Sequence, residues 1–195
     1  MLLKKYVKEY WCEGSKHFKG PEASEQDKAM LRSGLLQGLK DRDSRMRTAI
    51  GVAVAGVAKW DWPSRWPGLM PQLIGMIQAR HDPLEVQGAV RCLAMFADDM
   101  DETTLPQLVP ALFPELLHIV TSPDSYGACF RRENQTVASG RAVSDLTACR
   151  ADAHLMHRAL GIVNSVVGQL GTMSGKEQRQ CRDLLAQQLP AFFPM

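Results

Sequence analysis

SRMRTAIGVAVAGVAKWD, residues 44–61, returns 40 positions later as LEVQGAVRCLAMFADDMD, residues 84–101. In that overlay Met46 falls on Val86, Ala49 on Ala89, Ile50 on Val90, Val57 on Ala97 and Asp61 on Asp101. The segments that follow match at an offset of 39: Pro67, Leu69, Pro71, Leu73 and Ile77 meet Pro106, Leu108, Pro110, Leu112 and Leu116. Both halves of the unit carry helical periodicity, and sustained strand alternation is missing from them. Two helices per roughly 40 residues, repeated, is the period of HEAT or armadillo arrays. The expected fold is an all-α HEAT-repeat α-solenoid of antiparallel helix pairs, each pair burying one face against the next.

Working outward from that unit, Asp43 or Ser44 can start its first helix, with Met46, Ile50, Val54 and Val57 turned inward and Arg45 and Arg47 outward. The small residues Gly51, Ala53, Ala55 and Gly56 would let a neighbouring helix approach closely. Upstream, Ser24 can cap a helix that buries Met30, Leu31, Leu35, Leu36 and Leu39. Leu2, Leu3, Tyr6, Val7 and Tyr10 fall on one face of a helix at the start of the chain. Pro67 and Pro106 are expected just inside the start of the second helix of each unit, where a missing N–H costs little. Pro71 and Pro110 are expected in or near that first turn.

A third copy follows a break. Ala159 and Leu160 continue the pattern of Ala89 and Val90, but at an offset of 70. The surplus lies in residues 128–155, which carry arginines and little helical periodicity; they read as a disordered insertion, or as sequence foreign to the ordinary transcript. LPAFFP at residues 189–194 then echoes VPALFP at residues 109–114. The expected division is residues 1–127 as HEAT repeats, 128–155 as the insertion and 156–195 as a partial further repeat. A repeat cut at both ends reads as a piece of a longer protein.

Composition narrows the function. The chain has 195 residues, 45% hydrophobic and 23% charged, with net charge +2. The longest uncharged apolar stretch, residues 50–58, is too short to cross a membrane as a helix. Five cysteines, Cys12, Cys92, Cys129, Cys149 and Cys181, form an odd set without a CxxC pair, which favours free thiols in a reducing compartment. Charge is uneven: net +4 over residues 1–47, −5 over 48–130 and +3 over 131–195. An acidic middle section attracts basic partners. Asp98, Asp99, Asp101 and Glu102 concentrate it, either as a cargo contact for Lys/Arg-rich protein or as a solvated turn.

Catalytic chemistry finds no foothold. GxxxxGK[ST], GxSxG and HExxH are all missing from the sequence. Cys149, His154 and His157 lack a fourth ligand for zinc, and Cys12 with His17 is weaker still. Cys92 and Cys181 fall on helical positions as small buried hydrophobes. Basic residues are dispersed and lack a nucleic-acid-binding motif. A binding protein without cofactor, metal, membrane or direct nucleic-acid partner is the expectation.

The run KWDWPSRWPGLMPQL, residues 59–73, is the most distinctive in the chain, with three tryptophans and two prolines in eight positions. Together with LLKKYVKEYWC at residues 2–12, VQGAVRCL at residues 86–93 and Tyr126-Gly127, it resembles the importin-β (karyopherin-β) superfamily in order and spacing. The resemblance is continuous over residues 2–127 and looser over 156–195. Trp60, Asp61, Trp62, Pro63, Trp66 and Pro67 form the motif loop, and the aromatic residues would wedge the turn between paired helices. The resemblance implies nuclear import of basic cargo such as core histones or ribosomal proteins, release by Ran in its GTP form, contact with nucleoporins, and shuttling between cytoplasm and nucleus. It also implies that the chain begins after the family's first repeat, with the Ran surface on the second helices of the early repeats. A HEAT scaffold subunit of a phosphatase or chromosome-associated complex, indifferent to Ran, would share the repeat but not the loop.

Overall fold

The computed structural model describes residues 2–80, 82–100, 104–121 and 144–172, with positions 179, 182, 183 and 185–187 beyond them. Over residues 2–172 the described helices are α1 (Leu2–Tyr10), α2 (Glu25–Gln37), α3 (Ser44–Asp61), α4 (Leu69–Ala79), α5 (Pro83–Phe96), α6 (Leu105–Thr121) and α7 (Ser144–Thr172). Short 3₁₀ turns, Gly38–Lys40 and Ala97–Asp99, extend α2 and α5. Among the described residues there is no strand. The chain is an all-α HEAT-repeat α-solenoid.

The helices sort into two layers. α1, α3, α5 and α7 pack side by side in order, forming an A layer. α2, α4 and α6 form the B layer, each filling the seam toward the next A helix: α2 on α3, α4 on α5, α6 on α7. The core follows this arrangement. Leu39, Leu73, Ile77, Leu93, Leu112, Phe113 and Leu116 are fully buried where the layers meet. Each such side chain contributes about 1.5–3 kcal/mol through burial. In α7, Leu155, Ala159, Ile162, Val166 and Leu170 carry the same helical spacing inward, and Ala159 is as fully buried as its counterpart Ala89.

Local sequence sets the helix boundaries. The Ser24 hydroxyl accepts from the Asp27 N–H at 3.2 Å, and the Asp43 carboxylate from Arg45 N–H at 2.7 Å, so both expected caps form. Asp82 caps α5 through the Leu84 N–H at 2.8 Å, with Pro83 in the first helical position. Gly88 is where close approach demands glycine. A Cβ there would lie 2.0 Å from the Leu39 carbonyl oxygen, inside backbone of the preceding 3₁₀ turn.

Several expectations are corrected. On α3 the inward face is turned by about one residue: Arg47 is buried at 6% exposure, Met46 is 49% exposed and Ile50 is half-buried, while Val54 and Val57 are buried as expected. The guanidinium of Arg47 is welcome inside because it donates to the carbonyls of Asp41 at 2.6 Å and Arg42 at 3.0 Å and to Gln87 Oε1 at 3.2 Å. Met30 is exposed and Leu31 half-buried, whereas Leu35, Leu36 and Leu39 are buried. Leu2 and Tyr6 are exposed, while Val7 is buried where α1 packs on α3. Pro67 precedes α4 in the turn, since Trp66 and Gly68 carry the chain into a helix that starts at Leu69. Pro110 sits inside α6, beyond its first turn, on the exposed side where an unpaired carbonyl can meet water.

α7 begins at Ser144, so residues 144–155 of the segment 128–155 are helical. Residues 128–143, Tyr126-Gly127 and the echo at residues 189–194 lie outside the described residues.

Candidate functional site

The motif loop is built by the end of α3. Trp62 N–H bonds to the Ala58 carbonyl at 2.9 Å and closes the helix. The Asp61 carbonyl then accepts from the N–H groups of Arg65 at 2.6 Å and Trp66 at 2.8 Å, turning the chain back. The Asp61 side chain is 1% exposed and pairs with Arg32 of α2 at 2.8 Å. Its Oδ1 has no hydrogen-bond partner among the described residues. Trp66 is buried, and half-buried Trp62 meets Phe96 of α5 edge-on, with ring centroids 6.3 Å apart. Pro63 and Pro67 are exposed. Trp62 therefore packs one repeat onto the next and Trp66 is buried within the turn, whereas Trp60 is 38% exposed.

Beside that pair lies Lys28, which hydrophobicity gave no reason to bury and which is 0% exposed. Its ammonium sits 5.8 Å from the Trp11 ring centroid and pairs with Glu22 and with Glu25, the latter at 3.3 Å. Burial works against the charge, but the two carboxylates outweigh it and leave the Lys28 pKa raised. The hydrogen bond from Lys28 is also the main reason the Glu22 and Glu25 pKa values are lowered. α2 is thus anchored by ion pairs on both sides of its first two turns.

The acidic turn follows α5. Ala97 and Met100 are buried and pin the 3₁₀ turn, which leaves Asp98 and Asp99 exposed between them. Their carboxylates address different neighbours. Asp99 pairs with Lys59 of α3 at 3.0 Å, with both side chains about half exposed. Asp98 accepts from the Ser165 hydroxyl of α7. Gln169 Nε2 of α7 donates to the Ala97 carbonyl at 3.0 Å and fixes the turn from the same side. Asp101 and Glu102 lie outside the described residues.

Trp60 and Asp99, from the two sets singled out in the sequence, line one groove of about 430 Å³ between α1, α3 and α5. Val7, Val52, Ala53 and Gly56 form its floor, and Lys4, Lys8 and Lys59 stand along it. The small residues of α3 divide the labour: Gly51 is buried against α5, near Cys92 and Met95, while Ala53 and Gly56 make room for the groove. The stripe of small residues pointed to close packing alone; the exposed tryptophan beside it was the available sign of an opening.

The chemistry-bearing groups elsewhere are scattered. Burial pushes the Cys92 thiol up to about 12, and its Sγ lies 3.9 Å from the Gly51 carbonyl, as befits a small core side chain. His154 and His157 are exposed, and the side chains of Cys149 and Cys181 lie outside the described residues. Among the described residues, no three His, Cys, Asp or Glu side chains gather as a metal site. No described helix is long and apolar enough to cross a membrane.

Relatives are found for this arrangement. The chain is 27% identical over 129 residues to importin-9 of Drosophila melanogaster, covering 65% of this chain and 12% of that protein. Over 82 residues it is 30% identical to importin-11 of Mus musculus and 32% identical to importin-11 of Homo sapiens, each match covering 42% of this chain and 8% of the relative. No protein-family profile matches. The chain thus spans about an eighth or less of the length of these relatives. Its paired helices, its tryptophan loop and these matches agree: the likeness of this chain is to the importin-β superfamily, importin-9 among its relatives.

Proposed function

We propose that this chain is a HEAT-repeat portion of a nuclear import receptor that binds basic protein cargo, core histones among the candidates, and yields it when Ran in its GTP form binds. The observation that carries the reading is the match to importin-9 over 129 residues, joined to an A/B helical repeat. The proposed division keeps residues 1–127 as repeats, with 128–155 between them and a partial repeat at 156–195. The mechanism is binding without catalysis, and neither cofactor nor metal has a part in it. Nucleoporins are the further partners, and the receptor shuttles between cytoplasm and nucleus.

Cargo contact falls to Asp98 and Asp99, joined in sequence by Asp101 and Glu102. Both described carboxylates are exposed at the junction of α3, α5 and α7. An exposed ion pair such as Lys59–Asp99 is worth at most about 1 kcal/mol, so a cargo lysine or arginine can compete for Asp99. Many such contacts, each screened by salt, give a grip that a GTPase can undo. Trp62, Trp66 and Asp61 hold the repeats in register and take no part in the contact.

The test uses the full-length gene product at physiological salt, measuring its binding to Ran loaded with GTP and with GDP. Preference for the GTP form, and displacement of a core histone dimer by it, is the expected result. Binding to neither form overturns the import mechanism and leaves a HEAT scaffold. A histone affinity that does not fall as salt rises removes the acidic turn from the cargo site.

A further inference from the structure

The outward side of α3 is a stripe of mostly small and apolar residues that its neighbours leave partly uncovered. Val52, Ala55, Gly56 and Trp60 recur at helical spacing on one face, and none of them is buried. From Val52 to Trp60 the stripe runs about 12 Å along the helix axis. It is the bed of the groove of about 430 Å³ between α1 and α5.

The two walls differ in charge. α1 supplies buried Val7 together with Lys4 and Lys8, one turn apart and both exposed. α5 supplies Met95, which is 36% exposed, and Asp99, which pairs with Lys59 of α3 at 3.0 Å. The Trp60 ring lies against the loop after α1, so near that a Cβ on Gly14 would meet it at 3.1 Å. The indole is thus a fixed wall of the groove.

An apolar bed with lysines along its rim selects an apolar ligand that carries negative charge. Lysine suits such a rim, because its stem extends the apolar cover while its ammonium stays in water. The Lys59–Asp99 pair is exposed and therefore weak enough to exchange partners. A bed of about 12 Å takes two apolar side chains one helical turn apart, the spacing at which an amphipathic helix presents its anchors.

We propose that the groove between α1, α3 and α5 docks a short acidic amphipathic helix of a partner protein. Its apolar side chains lie over Val52 and Gly56, between Met95 and Trp60, and its carboxylates meet Lys4, Lys8 and Lys59. The groove adjoins the acidic turn proposed for basic cargo but takes a partner of the opposite charge. It stands whether or not the chain serves nuclear import.

The test titrates the 195-residue chain into the fluorescein-labelled peptide EELLEELLEE and follows fluorescence anisotropy. Saturable binding is expected, weakening as sodium chloride is raised. It should fall about tenfold or more in the double variant Lys4→Glu with Lys8→Glu, and again in Met95→Glu. All three positions are exposed, so circular dichroism should show the same melting point in the variants as in the unaltered chain. The uncharged peptide QQLLQQLLQQ should bind about tenfold more weakly than the acidic one. Equal binding of the two peptides overturns the proposal and leaves a groove indifferent to charge. An affinity that both variants keep also overturns it, since the peptide then sits elsewhere, and so does the absence of saturable binding. Self-association of the unaltered chain in sedimentation, lost in Met95→Glu, overturns it as well, because the occupant is then a second copy.

Discussion

Replacing Asp61 with alanine should unfasten the end of α3 at a cost that the geometry allows to be sized. Asp61 is 1% exposed, and its partner Arg32 keeps only 12% of its side chain in solvent, with the pair closed at 2.8 Å. Without the carboxylate, the Arg32 guanidinium retains only Glu25, at 3.4 Å and 65% exposed. Breaking one half of a buried pair costs about 3–5 kcal/mol, most of it the charge left behind. Asp61 Oδ1 lacks a partner among the described residues, a standing penalty that the substitution removes, so the lower end applies, about 3 kcal/mol. For a chain of this length each kcal/mol moves the melting point by about 2–4 °C, giving a fall of about 6–12 °C. Circular dichroism at the helical band measures the melting point. Arg32→Met combined with Asp61→Leu should recover most of the loss, since neither charge then remains buried. A loss below about 1 kcal/mol for Asp61→Ala, or a double variant whose loss equals the sum of its two singles, would refute the claim that this pair is a coupled, desolvated unit.

Further substitutions and treatments test other parts of the fold. Gly88→Ala should destabilise by about 1–3 kcal/mol, because the added methyl meets the Leu39 backbone and not a movable side chain; Gly34→Ala, with open space around it on α2, should instead stabilise by about 0.5–1 kcal/mol, and urea midpoints compare the two. Cys92 should resist iodoacetamide until denaturant is added, read by mass spectrometry. The unfolded chain releases that thiol proton from about pH 9, near the ordinary value of 9.0, and the folded chain only near about 12, so stability should fall through that window by up to about 1.4 kcal/mol per pH unit. Asp98→Asn and Asp99→Asn should each change stability by less than about 1 kcal/mol, the exposed contacts being weak, while lowering histone affinity and flattening its salt dependence.

Much of the architecture could be read from spacing because local and nonlocal signals agreed. The caps at Ser24 and Asp43, the interior positions Val54, Val57, Leu35 and Leu36, and the match of α3 with α5 all follow from residue type and period. The failures share a physical cause. Arg47 and Lys28 were legible only as solvent-facing charges, since hydropathy ranks them so. Each is buried because groups around the helix start supply what its charge needs: the backbone carbonyls of Asp41 and Arg42 for one, the carboxylates of Glu22 and Glu25 and the Trp11 ring for the other. Met46 and Met30 read inward from spacing for the converse reason, because an apolar side chain near a helix start has a place in the core only if a neighbour covers that turn. The acidic cluster was legible as charge, but not its opposed attachments to Lys59 and Ser165, which belong to different helices.

One relation in the repeat could have supplied part of what was missed. In a solenoid, equivalent positions of successive units stack, so a residue and its counterpart one repeat later are neighbours in space. Arg47 and Gln87 are such a pair at an offset of 40, and they bond at 3.2 Å. Lys59 and Asp99 are another at the same offset, bridged at 3.0 Å at the opposite end of the same two helices. Across the next seam, at the offset of 70, Gln169 is the counterpart of Asp99, and it holds the Ala97 carbonyl that anchors the acidic turn. Complementarity between stacked positions thus ties the A helices at both ends, while the apolar spacing within each helix fills the middle.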